Sequence, residues 1–197
     1  MSAVSEQIVR EYFEQLGFLV RELRKSVARG DARRSAASAD FAVLNPASTG
    51  NPGDLPFELR GEFVSRIRQA AVLVLGWHTT RIYARTVGRR SEIGKFVDRV
   101  ASSRSGYDPS AEGTLKLIVA PGLPTGQAGE RAVAALRERG VDGVLPFDRL
   151  LGELVVRVEV NRNYTRSDLL QTLRLLKIYR LLRDPQMELF AKRRGRR

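Results

Sequence analysis

Cysteine and histidine, two of the side chains that most often take part in covalent or metal chemistry, are almost absent from this chain. The 197 residues include no cysteine and a single histidine, His78. The lack of cysteine excludes thiolate nucleophiles, disulfides, zinc ribbons and iron–sulfur clusters. A Ser-His-Asp triad would have to include His78, and a zinc site would need carboxylates as its other ligands. Any catalysis is therefore expected to depend on carboxylates and a hard cation.

Asp40 is the first candidate among the carboxylates. It opens the apolar run DFAVL, which ends at Asn45-Pro46 and predicts a strand. Asp54 is a rival, but an acid that follows Pro-Gly is more typical of a turn or a helix cap. Four charged side chains lie on the predicted helices before and after the run 71–75. No spacing rule favours any of them as a partner of Asp40, and each is ordinarily interpreted as an exposed surface residue. These side chains are Glu58, Glu62, Glu92 and Lys95.

The run Ala71-Val-Leu-Val-Leu is apolar at every position, which predicts a central strand in a sheet covered on both faces. Trp77 and His78 follow the end of this strand. Open α/β sheets carry ligand sites at that edge, so His78 could contact a ligand, or it could pack beside the tryptophan. Trp77 is expected to anchor the core.

Three glycines, Gly122, Gly126 and Gly129, lie between a predicted strand and a predicted helix, where a phosphate-binding loop would sit. Their spacing is neither that of the Rossmann fingerprint nor that of a P-loop, and no Lys-Ser/Thr follows. Nucleotide binding is therefore not favoured.

The charge balance points to a polyanionic partner. The chain has 34 Lys+Arg against 22 Asp+Glu, a formal net charge of +12, and all but five of the basic residues are arginines. A guanidinium forms two parallel hydrogen bonds with phosphate and stacks on bases, so an arginine excess suits nucleic acid. The alternative is the composition bias of a GC-rich genome, because alanine and leucine are abundant as well.

The basic residues fall into three clusters, which favours an electrostatic surface over a general bias. The clusters are Arg21, Arg24, Lys25, Arg29, Arg33 and Arg34; then Arg174, Lys177, Arg180 and Arg183; then Lys192, Arg193, Arg194, Arg196 and Arg197. The second recurs every three residues and is expected to form a ridge on one side of the last helix. Tyr164 and Tyr179 flank that ridge and could stack on bases or pack in the core.

Hydrophobic periodicity predicts one α/β domain with a mixed sheet. The predicted helices cover 4–16, 57–69, 93–101, 127–139, 150–158 and a last helix that Thr165 caps and that runs to about Arg183. The predicted strands cover 18–22, 40–44, 71–75 and the segments LKLIVAPG and GVDGVLPF, with a loop over 26–38. The last two strands flank a helix, which indicates a parallel pair with a right-handed crossover.

The expected organisation is an α/β core over 1–150, C-terminal helices over 151–185 that pack on the core or on a partner, and a basic tail over 186–197. No apolar run reaches the length of a membrane span. The N-terminal segment does not have the pattern of a signal peptide, because Glu6, Arg10 and Glu11 already occur in it. We therefore expect a cytoplasmic protein with no membrane partner.

Several of these features form one pattern: a helix ending in Gly-Phe, a first strand, Asp40 opening the second strand, and an apolar central strand ending in Gly-Trp. A helix and a parallel strand-helix-strand unit follow. The pattern resembles the PD-(D/E)XK, or restriction-endonuclease-like, nuclease superfamily over about residues 4–150. The resemblance implies a three-layer restriction-endonuclease-like core in which helices flank a mixed central sheet.

In active members of that superfamily, the second-strand aspartate and an acidic-x-Lys motif on the third strand bind magnesium and polarise the scissile phosphate. Asp40 matches the aspartate. Leu73 and Leu75 stand where the acidic residue and the lysine would be. Leucine neither ligates a hard cation nor stabilises a developing negative charge.

Three functions remain open. The first is a pseudo-nuclease, degenerate at its catalytic site, that binds DNA, or else RNA, through arginine–phosphate contacts, within a larger assembly and without a cofactor. The second is an active enzyme, a magnesium-dependent endonuclease that uses Asp40 with migrated acid and lysine partners. The third is a scaffold that binds a protein partner or a second copy of itself. The leucines at the positions of the acidic-x-Lys motif favour a protein that is not an enzyme.

Overall fold

A computed structural model describes residues 3–23, 38–50, 52–75, 80–102 and 113–182, with the backbone alone for 38–40 and 102. Contacts divide the chain into two compact units, Met1–Leu151 and Gly152–Arg197. The elements of the first unit are α1 (Ala3–Gln15), β1 (Leu19–Glu22), β2 (Ser38–Leu44), α2 (Gly61–Val64), β3 (Gln69–Leu75), α3 (Ala84–Arg89), α4 (Ser91–Ser102), β4 (Leu115–Ala120), α5 (Gln127–Glu138) and β5 (Gly143–Pro146). Helix α6 (Phe147–Arg157) contains the boundary between the units, and α7 (Asp168–Ile178) belongs to the second.

The five strands form one mixed sheet in the order β1-β2-β3-β4-β5. β1 and β2 pair antiparallel, as do β2 and β3, whereas β3, β4 and β5 are parallel. This arrangement confirms the predicted α/β class, the mixed sheet and the parallel final pair. Within the described ranges, no helix is long and apolar enough to cross a membrane.

Strand β3 is the centre of the sheet, as its unbroken apolar run predicts. Ala71, Leu73 and Leu75 pack in one apolar cluster with side chains of α3, α4 and α5, whereas Val72 and Val74 are fully buried at the alternate positions. Successive side chains of a strand point to opposite faces, so both faces of β3 are covered. Helices therefore flank the sheet.

The helix predicted over 57–69 is wrong for most of its length. Leu59 N donates a hydrogen bond to Val144 O at 2.8 Å, and Val144 N donates to Phe57 O at 2.7 Å, so this segment is extended along β5. Phe57 and Leu59 are buried and Glu58 is half-buried, which is the alternation of a strand. Only the single turn of α2 is helical, because edge pairing with β5 satisfies the preceding backbone.

The bounds predicted for the last helix are also wrong. Ser167, not Thr165, caps α7: its Oγ accepts a hydrogen bond from Leu170 N at 3.2 Å. The helix ends at Ile178 rather than near Arg183, because Arg180 adopts the left-handed conformation at φ 56°. Leu181 N then donates to Leu176 O at 2.8 Å, which is the six-to-one bond of a Schellman motif.

Other predictions have mixed outcomes. The helix favoured over 150–158 is confirmed as part of α6, whereas α3 was not predicted at all. The predicted loop over 26–38 lies almost entirely outside the described residues, as do Trp77 and His78.

Candidate nucleic-acid interface

The carboxyl edge of the parallel strands is where the sequence places its candidate site. Because β2 runs antiparallel to β3, the first residues of β2 lie beside the last residues of β3. Ser38 pairs with Leu75 and Asp40 pairs with Leu73 in this register. The backbone of Asp40 therefore lies directly across from the position where the resemblance to nucleases expects an acidic side chain.

The two leucines at the end of β3 belong to the core. Leu73 is 0% and Leu75 is 1% exposed. They pack in an apolar cluster with Ile82, Ile93 and Phe96, among others. The end of β3 is therefore filled with hydrocarbon, and its side chains do not fit a magnesium site. In the part of the chain that the structure describes, no group of three or more His, Cys, Asp or Glu is placed to hold a metal ion.

The other candidate acids do not gather at this edge. Glu58 pairs with Arg149 at 3.1 Å beside β5, and Glu92 pairs with Arg90 at 2.9 Å at the start of α4. Glu62, Lys95 and Asp54 are exposed, on α2, on α4 and in the turn before residue 57, respectively. Each carboxylate and the lysine thus has a separate surface environment.

An arginine-rich segment begins at the same edge of the sheet. Ile82 N donates a hydrogen bond to Gly122 O at 3.0 Å, which fixes the segment beside the end of β4. Ile82 and Val87 are buried, whereas Arg81, Arg85 and Arg89 are exposed. Residues 80–91 contain no Asp or Glu. The buried side chains thus hold a short helix whose outer side carries positive charge.

Arg139, the C-cap residue of α5, adds a fourth arginine to this segment. Arg139 Nη2 donates to Gly88 O at 3.4 Å, at the end of α3. A Cβ at Gly94 would lie 3.4 Å from Arg139 Nη1, so the guanidinium lies close against the backbones of α3 and α4. The four residues Arg81, Arg85, Arg89 and Arg139, here called the arginine row, run from the end of β4 along α3.

Tyr83 adds an aromatic ring to the arginine row. The Cζ atom of Arg85 lies 5.5 Å from the centroid of the Tyr83 ring. This half-buried ring precedes α3 at its N-cap position. Basic side chains interleaved with an aromatic ring are a common arrangement in surfaces that bind single-stranded nucleic acid.

Most of the first predicted basic cluster lies outside the described residues. Arg21 is exposed on the edge strand β1, where it pairs with Ala42. The structure does not describe the remaining members of the first and third clusters or the end of the second. These residues are Arg24, Lys25, Arg29, Arg33, Arg34, Arg183, Lys192, Arg193, Arg194, Arg196 and Arg197.

The second predicted cluster is not a continuous helical ridge. Arg174 Nε donates to Val160 O at 2.8 Å, and Lys177 Nζ donates to Val158 O at 2.8 Å and to Val156 O at 3.3 Å. These cations therefore satisfy backbone carbonyls at and beyond the end of α6. Arg180 lies beyond the end of α7, so the continuity expected of the ridge is wrong.

The two tyrosines near this cluster differ in environment. Tyr164 is buried, and its hydroxyl accepts a hydrogen bond from Glu159 N at 3.0 Å. Arg162 covers its ring, with Cζ 5.4 Å from the centroid. Tyr164 therefore packs within the second unit, whereas Tyr179 is exposed.

The loop glycines serve the turn into α5. Gly126 has φ 64° at the N-cap of α5. A Cβ at Gly129 would lie 2.3 Å from Pro124 O, so only glycine allows this close approach. Backbone geometry thus accounts for Gly126 and Gly129.

Replacing Lys177 with methionine tests the structural role of this lysine. We expect Lys177→Met to lower the free energy of unfolding by about 1–2 kcal/mol, because it removes the ammonium that donates to two backbone carbonyls. Chemical denaturation followed by far-ultraviolet circular dichroism measures the change. Arg180→Gln is the matched control and should change stability little, since Arg180 is exposed; equal stability of both variants would contradict this role.

The arginine row was missed at the level of sequence, although one signal was available. Arg81, Arg85 and Arg89 recur every four residues, in a stretch without a single acid. A four-residue spacing would place all three side chains on one face of a helix, and the structure shows this for Arg85 and Arg89, whereas Arg81 precedes α3. No protein-family model, curated protein or solved structure matches this chain.

Proposed function

We propose that the chain is a degenerate member of the PD-(D/E)XK superfamily, a cytoplasmic protein that binds nucleic acid through arginine–phosphate contacts. Its first unit is then a three-layer restriction-endonuclease-like core that has kept a binding surface and lost the magnesium site. The ligand is nucleic acid of any sequence, with DNA favoured over RNA, bound within a larger assembly.

The element order supports the first part of this proposal. A helix precedes three antiparallel strands, and two parallel strands with intervening helices follow. Asp40 lies across from Leu73, as the aspartate lies beside the acidic-x-Lys strand in the expected pattern. Leu73 and Leu75 are buried in the core, and the acid and lysine candidates of the neighbouring helices, Glu58, Glu62, Glu92 and Lys95, lie in separate surface environments. Both observations support lost chemistry over partners that have migrated to a neighbouring helix.

The arginine row is the observation that carries the binding proposal. Its guanidinium groups lie at the carboxyl edge of the parallel strands and along α3, where no acid occurs between residues 80 and 91. Arg85 and Arg89 are separated by about 6 Å along the helix axis, which is about twice the axial spacing of phosphates along one strand of DNA. Neighbouring arginines are thus spaced to contact separate phosphates of one strand.

A salt titration tests whether the binding is electrostatic. If the four arginines of the row each contact a phosphate, the logarithm of the association constant for duplex DNA should fall with that of the salt concentration at a slope of about −3.6 or steeper. Fluorescence anisotropy with a labelled duplex, the corresponding single strand and an RNA duplex measures the slope. No binding at about 50 mM salt, or a slope near zero, would contradict the proposal.

A cleavage assay separates the pseudo-nuclease from an active enzyme. We expect the wild-type chain to leave supercoiled and linear DNA intact in the presence of magnesium, because leucines fill the end of β3. Magnesium-dependent cleavage that Asp40→Ala abolishes would overturn the degenerate interpretation and favour the active nuclease. Cleavage that persists in Asp40→Ala would indicate a contaminating enzyme and is controlled by purifying both proteins in parallel.

A further inference from the structure

Helix α7 has two unlike sides. One side buries Leu170 and Leu173, and on the same side Arg174 and Lys177 donate to carbonyls at and beyond the end of α6. The opposite side carries Leu175, which is 43% exposed, and Tyr179 follows the helix with 72% exposure. Both apolar side chains lie away from the packed side, since residues two positions apart lie about 200° apart around a helix.

The exposed side has the spacing of a coiled-coil seam. Its residues Asp168, Thr172, Leu175 and Tyr179 follow one another at intervals of four, three and four. That is the alternation of heptad positions d and a, which pack against a second helix. Ile178, at a flanking position, is also exposed. We refer to Asp168, Thr172, Leu175 and Tyr179 as the α7 seam.

We propose that the α7 seam pairs with the α7 seam of a second copy of this chain, antiparallel and about a twofold axis. In this register Asp168 lies beside the partner's Tyr179, and Thr172 lies beside the partner's Leu175. The twofold axis repeats both contacts, so the seam complements itself along its whole length. The inference is independent of the proposed nucleic-acid binding.

The distribution of charge selects a second copy and the antiparallel direction. Asp168 is exposed at the first turn of α7, and Arg180 is exposed just beyond its last turn. Antiparallel pairing brings each carboxylate close to the partner's Arg180 and the partner's Tyr179 hydroxyl, and it aligns the helix dipoles favourably. Parallel pairing would bring the two Asp168 carboxylates together. An acidic helix from another protein would meet Asp168 with like charge.

The size of the seam sets the strength of the association. Two helices of 11 residues each bury less area than a stable obligate dimer needs. Each copy also has a formal net charge of +12, so the two copies repel one another at low salt. We therefore expect a dissociation constant of about 10–100 µM near physiological salt.

Sedimentation of the full chain over about 5–500 µM tests the association. The wild type should shift from monomer to dimer, and Leu175→Glu should weaken the dimer at least about 30-fold, since it places two charges in the central layers. Val156→Glu is the matched control, because Val156 is 57% exposed on α6 in the same unit. A monomeric wild type, or a dimer that Leu175→Glu leaves intact, overturns the proposal.

The antiparallel register has its own test, which the absence of native cysteine makes clean. A mixture of Thr172→Cys and Leu175→Cys chains should form a mixed disulfide in excess over the two symmetric ones under mild oxidation, because these positions share a layer. Asp168→Arg and Arg180→Asp should each weaken the dimer, and the double variant should restore it. Predominantly symmetric disulfides, or a double variant no tighter than the single ones, overturn the proposal.

Discussion

Leu73→Glu is expected to lower the free energy of unfolding of the first unit by at least about 4 kcal/mol at neutral pH. Leu73 is fully buried, and its cluster is formed by apolar side chains from β3, β4 and the helices that cover them. A glutamate at this position would lose its hydration without gaining an ion-pair partner among the residues of that cluster. Urea denaturation of wild type and variant measures the loss.

The penalty should depend on pH in a defined direction. Burial raises the pKa of the introduced carboxyl above its value of about 4.3 in the unfolded chain. Below about pH 4.3 the group is neutral in both states, and the charge contributes no penalty. As the pH rises from that value through the folded-state pKa, the variant loses stability relative to wild type. The difference in Tm should therefore be smaller near pH 4 than near pH 7.

Two control variants test whether the loss of stability comes from a charge at a buried position. Leu73→Met nearly conserves volume and should cost less than about 1.5 kcal/mol. Leu19→Glu places the same charge on the edge strand β1, where the side chain is 62% exposed, and should change stability little. If Leu73→Glu were as stable as wild type, position 73 would tolerate a carboxylate across from Asp40. The double variant Leu73→Glu, Leu75→Lys would then become a test for regained cleavage.

The strands of the sheet could be predicted where an element consists almost entirely of apolar residues. The unbroken apolar run of β3 predicts a strand that is buried on both faces. The shorter apolar runs of β2, β4 and β5 predict further strands of the same sheet. Segment 57–59 misled the prediction because Leu59 also continues the helical spacing of Phe63, Ile67 and Ala70. Its extended form depends on hydrogen bonds to Val144, which lies more than eighty residues further along the chain.

The candidate site was harder to predict, because the sequence does not show which charged side chains form hydrogen bonds within the protein. Arg174 and Lys177 looked like a free basic ridge, yet their hydrogen bonds go to carbonyls from Val156 to Val160. Helix α3 has only six residues and no side-chain cap at its N-terminus, so its helical pattern is weak. Burial of Ile82 and Val87 in the structure places its arginines on the exposed side of this segment.

Replacing three members of the arginine row with glutamine should produce the largest effect on binding. The triple variant Arg81→Gln, Arg85→Gln, Arg89→Gln should reduce the steepness of the salt dependence for duplex DNA by about 2.7, since each lost phosphate contact removes about 0.9. At low salt we expect about 100-fold weaker binding, which corresponds to about 0.9 kcal/mol per arginine. Stability should change little, because all three side chains are exposed.

The position of the lost charges, rather than their number, must account for this effect. The matched control Arg60→Gln, Arg66→Gln, Arg166→Gln removes three exposed guanidinium groups elsewhere and lowers the net charge by the same amount. It should keep the salt slope of the wild type, with only a small loss of affinity from the weaker long-range field. An equal loss in both variants would mean that binding follows overall charge. An unchanged slope in the arginine-row variant would contradict the role of the row and assign the phosphate contacts to the three predicted basic clusters, over 21–34, 174–183 and 192–197.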